Sequence, residues 1–300
     1  MKRILVLTVG FCACMRLMAQ SPISFYPMEN SQDVNIDTHL VIEFDKAVKA
    51  GNKGVITVTD KTARKVVDRI NMSIPAGPTE GQPKNPNAIY TPVPYIYKVE
   101  NITNRNTRPG TPSCAAKEDK RKYQKTIIGG FSDAFHFYPV ICHGNKATVY
   151  LHNNMLDYGH EYEIKISKGV IEGWNGKTSW KFTTKRTVPS SDLHHVVVAA
   201  DGSVDFSTLQ GAMDWIPDSL PSEACRKTVF VKNGDYEELV YFRNKRFVTI
   251  QGESMDRVVV HYPNNEVFNP HPVDIKTNEQ KETFPSRRAA VAADNCSDMI

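Results

Sequence analysis

Only one stretch of this chain places apolar residues at helical spacing. Leu209, Ala212, Met213 and Ile216 fall at i, i+3, i+4 and i+7, the pattern of a helix that lays a single stripe on a core. Ser207 to Gln210 has the S-x-x-Q form of a capping box, and Pro217 ends the helix by removing an amide donor. Elsewhere the apolar residues come in short alternating or β-branched runs bounded by Gly, Pro and Asn, which is the grammar of strands and turns. A chain of 300 residues patterned this way is expected to be all-β and is long enough for two domains.

The first 20 residues stand apart. Lys2-Arg3 is followed by an apolar run from Ile4 to Met15, then by Leu17-Met18-Ala19. That is the order of a secretory signal with its cleavage site, and the run is too short to span a bilayer. Export to the periplasm, cell surface or medium is expected. The preceding Phe11-Cys12-Ala13 fits a lipoprotein signal at Cys14 poorly. Loss of Lys2, Arg3 and Arg16 lowers the formal charge from +4 to +1, which leaves no electrostatic case for nucleic acid.

From residue 21 to 186 the strand-like runs include Leu40–Phe44, Gly54–Thr59, Ala147–His152, Tyr162–Ile166 and Trp180–Thr184. Leu40, Ile42 and Phe44 share one face, and strands at this spacing suggest a β-sandwich. A long insertion is expected over about 60–145, loop-like from Pro75 to Pro94 and from Asn101 to Pro112, and strand-like from Thr126 to Val140. Residues 187–194 read as a polar linker. Beyond Arg226, Thr228–Val231, Leu239–Phe242, Phe247–Ile250 and Arg257–His261 are strand-like. Their centres lie roughly ten residues apart, which fits either stacked solenoid rungs or a hairpin-built sheet.

Two resemblances refine this reading. Pro22…Pro27, Asn35–Thr38, Val41–Val48, Leu156…Tyr162, Gly169-Val170 and Trp180–Thr184 resemble a bacterial Ig-like domain. Val198–Asp214, Arg226…Glu238, Phe247–Glu253 and Ser286–Ala293 resemble, in order, the opening of the pectin methylesterase family. The second resemblance implies a right-handed parallel β-helix over 195–300, capped at its start by a short helix. It also implies a secreted carbohydrate esterase acting on pectin, a methyl-esterified polygalacturonate. In that family one Asp attacks the ester carbonyl, a second Asp serves as acid and base, and Gln stabilises the oxyanion. None of those motifs has a counterpart here, so no catalytic residue is assigned in this chain. Ser297–Ile300 reads as an uncapped strand, and the sequence is expected to be the front portion of a longer protein, inactive by itself. Two other functions stay open: a non-catalytic polysaccharide-binding or surface module, and a pectate-lyase-like β-helix enzyme.

The resemblance loosely places Thr283, Ser286, Arg287 and Arg288 near substrate, where the two arginines would meet an acidic sugar chain. No metal or cofactor is expected. His136, Cys142 and His143 cannot converge from one strand, and His194-His195 and Glu237-Glu238 each point to opposite sides. Trp174 and Trp180 read as edge and core residues. Cys114–Cys142 and Cys225–Cys296 are one pairing that export would permit, with buried free thiols as the alternative. A monomer without a membrane span is expected.

Overall fold

A computed structural model describes residues 20–77, 113–115, 123–130, 134–265, 268–269 and 289–300. Among these the fold is all-β apart from one short helix and a 3-10 turn at Glu223–Cys225. Among the described residues no helix is long and apolar enough to cross a membrane. Residues 1–19, which carry the expected signal, lie outside the described residues. Gln20 is already docked on the fold, its amide donating to Gly173 O at 3.1 Å.

The first unit comprises β1 (Pro22–Tyr26), β2 (Ser31–Val34), β3 (Leu40–Phe44), β4 (Val55–Asp60), β5 (Lys65–Asn71), β6 (Cys114–Ala115), β7 (Lys125–Ile127), β8 (Phe135–His136), β9 (Val140–His143), β10 (Lys146–Val149), β11 (Glu161–Ser167) and β12 (Gly176–Thr184). One antiparallel sheet has the order β1-β3-β10-β9. The other has the order β2-β12-β11-β4-β5, with β2 running parallel to β12. Period-two alternation sends Leu40, Ile42 and Phe44 from the first sheet, and Ile56, Val58 and Ile164 from the second, into one shared core. Trp180 fills its centre, and its Nε1 donates to Pro27 O at 2.8 Å, so the buried indole keeps a polar partner. Trp174 is buried beside Phe44.

The insertion is shorter than the sequence suggests. β5 continues the second sheet past Asp60, and β9 completes the first before 145. Between them β6, β7 and β8 form a small separate sheet. This sheet leans outward: Ile128 and Phe135 pack with Leu239 and Tyr241 of the second unit.

The second unit contains β13 (His195–Val198), α1 (Leu209–Trp215), β14 (Lys227–Val231), β15 (Gly234–Glu237), β16 (Val240–Arg243), β17 (Arg246–Gly252), β18 (Val258–His261), β19 (Val291–Asp294) and β20 (Ser297–Met299). From β14 onward each strand pairs in parallel with the strand three places later, and β13 precedes β14 in the first of the resulting sheets. The chain therefore winds around a core of Val196, Val229, Val240, Val248 and their neighbours. A hairpin-built sheet is excluded for this segment, since every one of these pairings is parallel.

The ten-residue spacing does not match the spacing of paired strands, because β15 lies inside an apparent turn. Asn233-Gly234-Asp235 reads as a corner, yet Gly234 N donates to Arg257 O and begins a ladder. One true corner recurs between turns. Asn244 and Asn295 both adopt left-handed φ, 58° and 51°, which asparagine tolerates. Asn295 Nδ2 donates to Asn244 Oδ1 at 2.7 Å, tying the two levels together.

The helix departs from the single-stripe expectation in two ways. Its N-cap is Thr208, whose hydroxyl accepts from Gly211 N at 2.9 Å, and not Ser207. All seven of its residues are buried, polar ones included, because the first unit covers the face opposite the core. The expected linker is also held down: Pro189 O accepts from Trp215 Nε1, and Ser191 O and Leu193 O accept from Lys227 Nζ.

Cys142, Cys225 and Cys296 are free thiols, so the Cys225–Cys296 and Cys114–Cys142 pairings are corrected. All three pack partly buried against the cores as small hydrophobic groups.

Gly211 has no room for a side chain, since a Cβ there would run into the Asp37 carboxylate. Gly211→Ala is expected to displace Asp37 and lower unfolding stability by about 2 kcal/mol, the scale of lost charge-assisted hydrogen bonds. Urea denaturation of the variant beside wild type measures it.

Candidate functional site

A short helix leaves its first N–H groups without intrahelical partners and with a positive end. Two carboxylates, one from each unit, meet that end of α1. Asp37, on the turn between β2 and β3, accepts through Oδ2 from Ser207 N (3.0 Å), Thr208 N (2.8 Å) and Thr208 Oγ1 (2.8 Å). Glu238, between β15 and β16, accepts from Leu209 N at 2.8 Å and Gln210 N at 3.0 Å. The hydroxyl of Thr208 takes the N–H of Gly211. The helix start is thus completely capped, by groups from three places in the chain.

Neighbouring contacts lock the same seam. Asn35 Nδ2 reaches Gly202 O, Val204 O and Ser207 Oγ at 3.0–3.3 Å, and Tyr26 OH donates to Asp201 O at 2.9 Å. Gly202 sits beneath that tyrosine at φ 70°, so the chain turns at Asp201-Gly202 where a side chain would collide with the Tyr26 hydroxyl. On the far side Glu237 bridges two groups of the first unit, taking Tyr150 OH at 2.9 Å and His143 Nε2 at 2.8 Å.

Between the units lies a cavity of about 90 Å³. Among the described residues its polar wall carries Asp37, Asp214, Glu238, His39, Tyr150 and Tyr262. Burial, reinforced by the fields of Asp37 and Asp214, pushes Glu238 up to about 7 against the pull of its two backbone donors. Burial lowers His39 to about 4, which keeps the ring neutral at pH 7. Burial and then Glu237 raise the Tyr150 hydroxyl, and burial raises Tyr262, which accepts from Tyr138 N. Two buried atoms on this wall, Asp37 Oδ1 and His39 Nε2, have no hydrogen-bond partner among the described residues. Asp37 and Glu238 direct oxygens to backbone N–H groups, so they hold the helix in place rather than forming an acid–base pair over a substrate.

The residues singled out in the sequence fall elsewhere. Thr283, Ser286, Arg287 and Arg288 lie outside the described residues. His136, Cys142 and His143 do not converge: His136 Nδ1 meets Phe268 O, His143 meets Glu237, and Cys142 faces the core. His194 bonds Arg226 O, while His195 stacks on Phe230. Glu237 and Glu238 do point apart, and each secures a different part of the seam. Asp60, Asp157 and His160 present ligand-type atoms within 4.8 Å of one another, a grouping the sequence reading missed because 97 positions separate Asp60 from Asp157. His160 Nδ1 bonds Asp60 Oδ2 at 2.7 Å, and Asp60 Oδ1 accepts from Ala63 N. The seam residues themselves left one sequence signal, since Gln210 and Asp214 occupy the helix face opposite the apolar stripe and bond each other at 2.8 Å.

No protein-family model matches this chain, and no curated protein matches it.

Glu238 and His39 link stability to pH with opposite signs. Glu238 binds its proton more tightly folded than unfolded. Its contribution is therefore full below about 4.5 and lost as pH rises through about 7. His39 resists protonation when folded, so its contribution is present above about 6.5 and lost as pH falls through about 4. Between pH 4.5 and 6.5 the two offset. Relative to wild type, His39→Phe is expected to lose stability with rising pH across that window, and Glu238→Gln with falling pH, each by about 1.4 kcal/mol per pH unit. Urea unfolding at a series of pH values reads both slopes.

Proposed function

We propose that this chain forms the opening part of a secreted carbohydrate esterase that removes methyl esters from pectin. On this reading an Ig-like sandwich is followed by the first turns of a right-handed parallel β-helix. The observation that carries the proposal is the parallel winding, in which the strand three places on is always the partner. The pectin-methylesterase-like segments fall into that winding in order. Val198–Asp214 runs from the end of β13 into the capping helix, Arg226–Glu238 forms β14 and β15, and Phe247–Glu253 forms most of β17.

The residues in hand serve as scaffold in this account. The helix closes one end of the winding, and the sandwich fixes the helix through Asp37 and Asn35. The carboxylates of the seam are engaged with backbone donors, so the attacking and acid–base aspartates belong to later turns. Those residues would open the ester by nucleophilic attack and proton transfer. A sandwich rigidly docked at the start gives the long sugar-binding surface a fixed orientation.

Methanol release from methyl-esterified polygalacturonate tests the proposal, using the 300-residue chain and the product of its reading frame continued past Ile300. Release by the extended protein and none by the shorter chain is expected. No release by an extended, folded protein contradicts the proposal, as does a frame that stops at Ile300. Retention of pectin without methanol release would point instead to a binding module.

A further inference from the structure

We propose that Gln20 becomes the first residue of the exported protein and is modified there, its side chain closing onto its own amino group as a pyroglutamyl lactam. The inference rests on the export half of the preceding reading, with cleavage after Leu17-Met18-Ala19, and not on the pectin half. Such cleavage leaves Gln20 at the new terminus, where the side-chain carbonyl carbon can close a five-membered ring with the freed nitrogen. An α-amino group loses its proton at about pH 7.7–8.0, so part of it is the uncharged nucleophile at neutral pH. The nitrogen attacks Cδ, the Cδ–Nε2 bond breaks, and Nε2 departs as ammonia with a hydrogen from the attacking amine. One C–N bond replaces another, and no oxidant or further reactant is consumed.

The fold offers a place for a neutral terminus with a single N–H. Gln20 N donates to Gly173 O at 3.1 Å, the one bond of that nitrogen among the described residues. An ammonium group carries three donors, whereas the lactam keeps one N–H, loses the charge and matches the single carbonyl. The intact side-chain amide is poorly served by comparison. Gln20 Nε2 reaches Ala47 O at 3.3 Å, and Oε1 is buried without a hydrogen-bond partner among the described residues. Ring closure removes Nε2 and draws the carbonyl back toward the terminus, which releases that acceptor from its unpaired position. Room for the residue depends on Gly173, since a Cβ there would press on Gln20 Cγ at 3.0 Å. The next residue is fixed as well: Ser21 N donates to Asp45 Oδ1 at 3.1 Å, and Asp45 N to Ser21 O at 3.0 Å. A lactam also removes the free amine that aminopeptidases attack, which suits a protein outside the cell.

Tandem mass spectrometry of the N-terminal peptide tests the proposal, on the 300-residue chain expressed with its own leader in a secretion-competent bacterial host. The expected peptide begins at Gln20 and is lighter than its sequence by the mass of one ammonia, with the loss placed on Gln20 in nearly all molecules. Gln20→Met keeps the side-chain length without an amide carbon, so it should be cleaved at the same bond and show no such loss. Once denatured, the wild-type protein should resist an aminopeptidase, and Gln20→Met should be shortened from residue 20. A chain that begins at Met1, at Cys14 or at any residue other than Gln20 overturns the proposal by removing the cleavage it rests on. A chain that begins at Gln20 with its amide intact overturns the cyclisation and leaves the export reading standing. The same loss of ammonia in Gln20→Met overturns the assignment to Gln20.

Discussion

The arrangement of the whole molecule depends on how one seven-residue helix has its N–H groups satisfied. α1 is too short to be stable alone, and it is buried on every side. A buried helix end with open donors would be costly, since each unmet polar group loses its hydration without replacement. Asp37 answers from the first unit and Glu238 from the second. The helix thus belongs to both units, and neither presents a complete surface without the other.

This constraint explains several features that otherwise look unrelated. Gly211 is glycine because the Asp37 carboxylate occupies the place of its side chain. The supposed linker is pinned by Trp215 and Lys227 because a rigid seam leaves no slack between the units. The insertion packs Phe135 against Tyr241 and its Gly129 against the Tyr241 backbone, extending the seam beyond the helix. Glu237 and Glu238 are neighbours with opposite directions, and each holds a different stretch of the first unit or of the helix.

Strands were largely legible in the sequence. β3 and β11 follow from alternation and β4 from its β-branched run, and their buried faces alternate accordingly. The helix was legible through its stripe and Pro217. β15 was not, because Gly234-Asp235 carries turn chemistry while its backbone pairs with a strand 24 residues away. The extent of the insertion was misjudged for a related reason: membership of β5 and β9 is decided by long-range pairing. The seam escaped the sequence almost entirely. Asp37 and Glu238 are ordinary acids in sequence and acquire a role only when a sandwich turn and a corner of the winding reach the same helix. Only Gln210 and Asp214, polar on the face away from the stripe, hinted that this helix has a second partner. The thiols ran contrary to the disulfide reading because Cys225 and Cys296 are used as packing groups in the core of the winding.

Native-state hydrogen exchange on the amides of Ser207, Thr208, Leu209 and Gln210 bears most directly on this account. If one helix start joins the two units, all four should exchange as slowly as the central strands β3 and β14. Asp37→Ala should then speed all four together, although only Ser207 and Thr208 bond Asp37. Rapid exchange at Ser207 and Thr208 in wild type would contradict it. So would an Asp37→Ala effect confined to those two amides, because the units would then be separate bodies in casual contact.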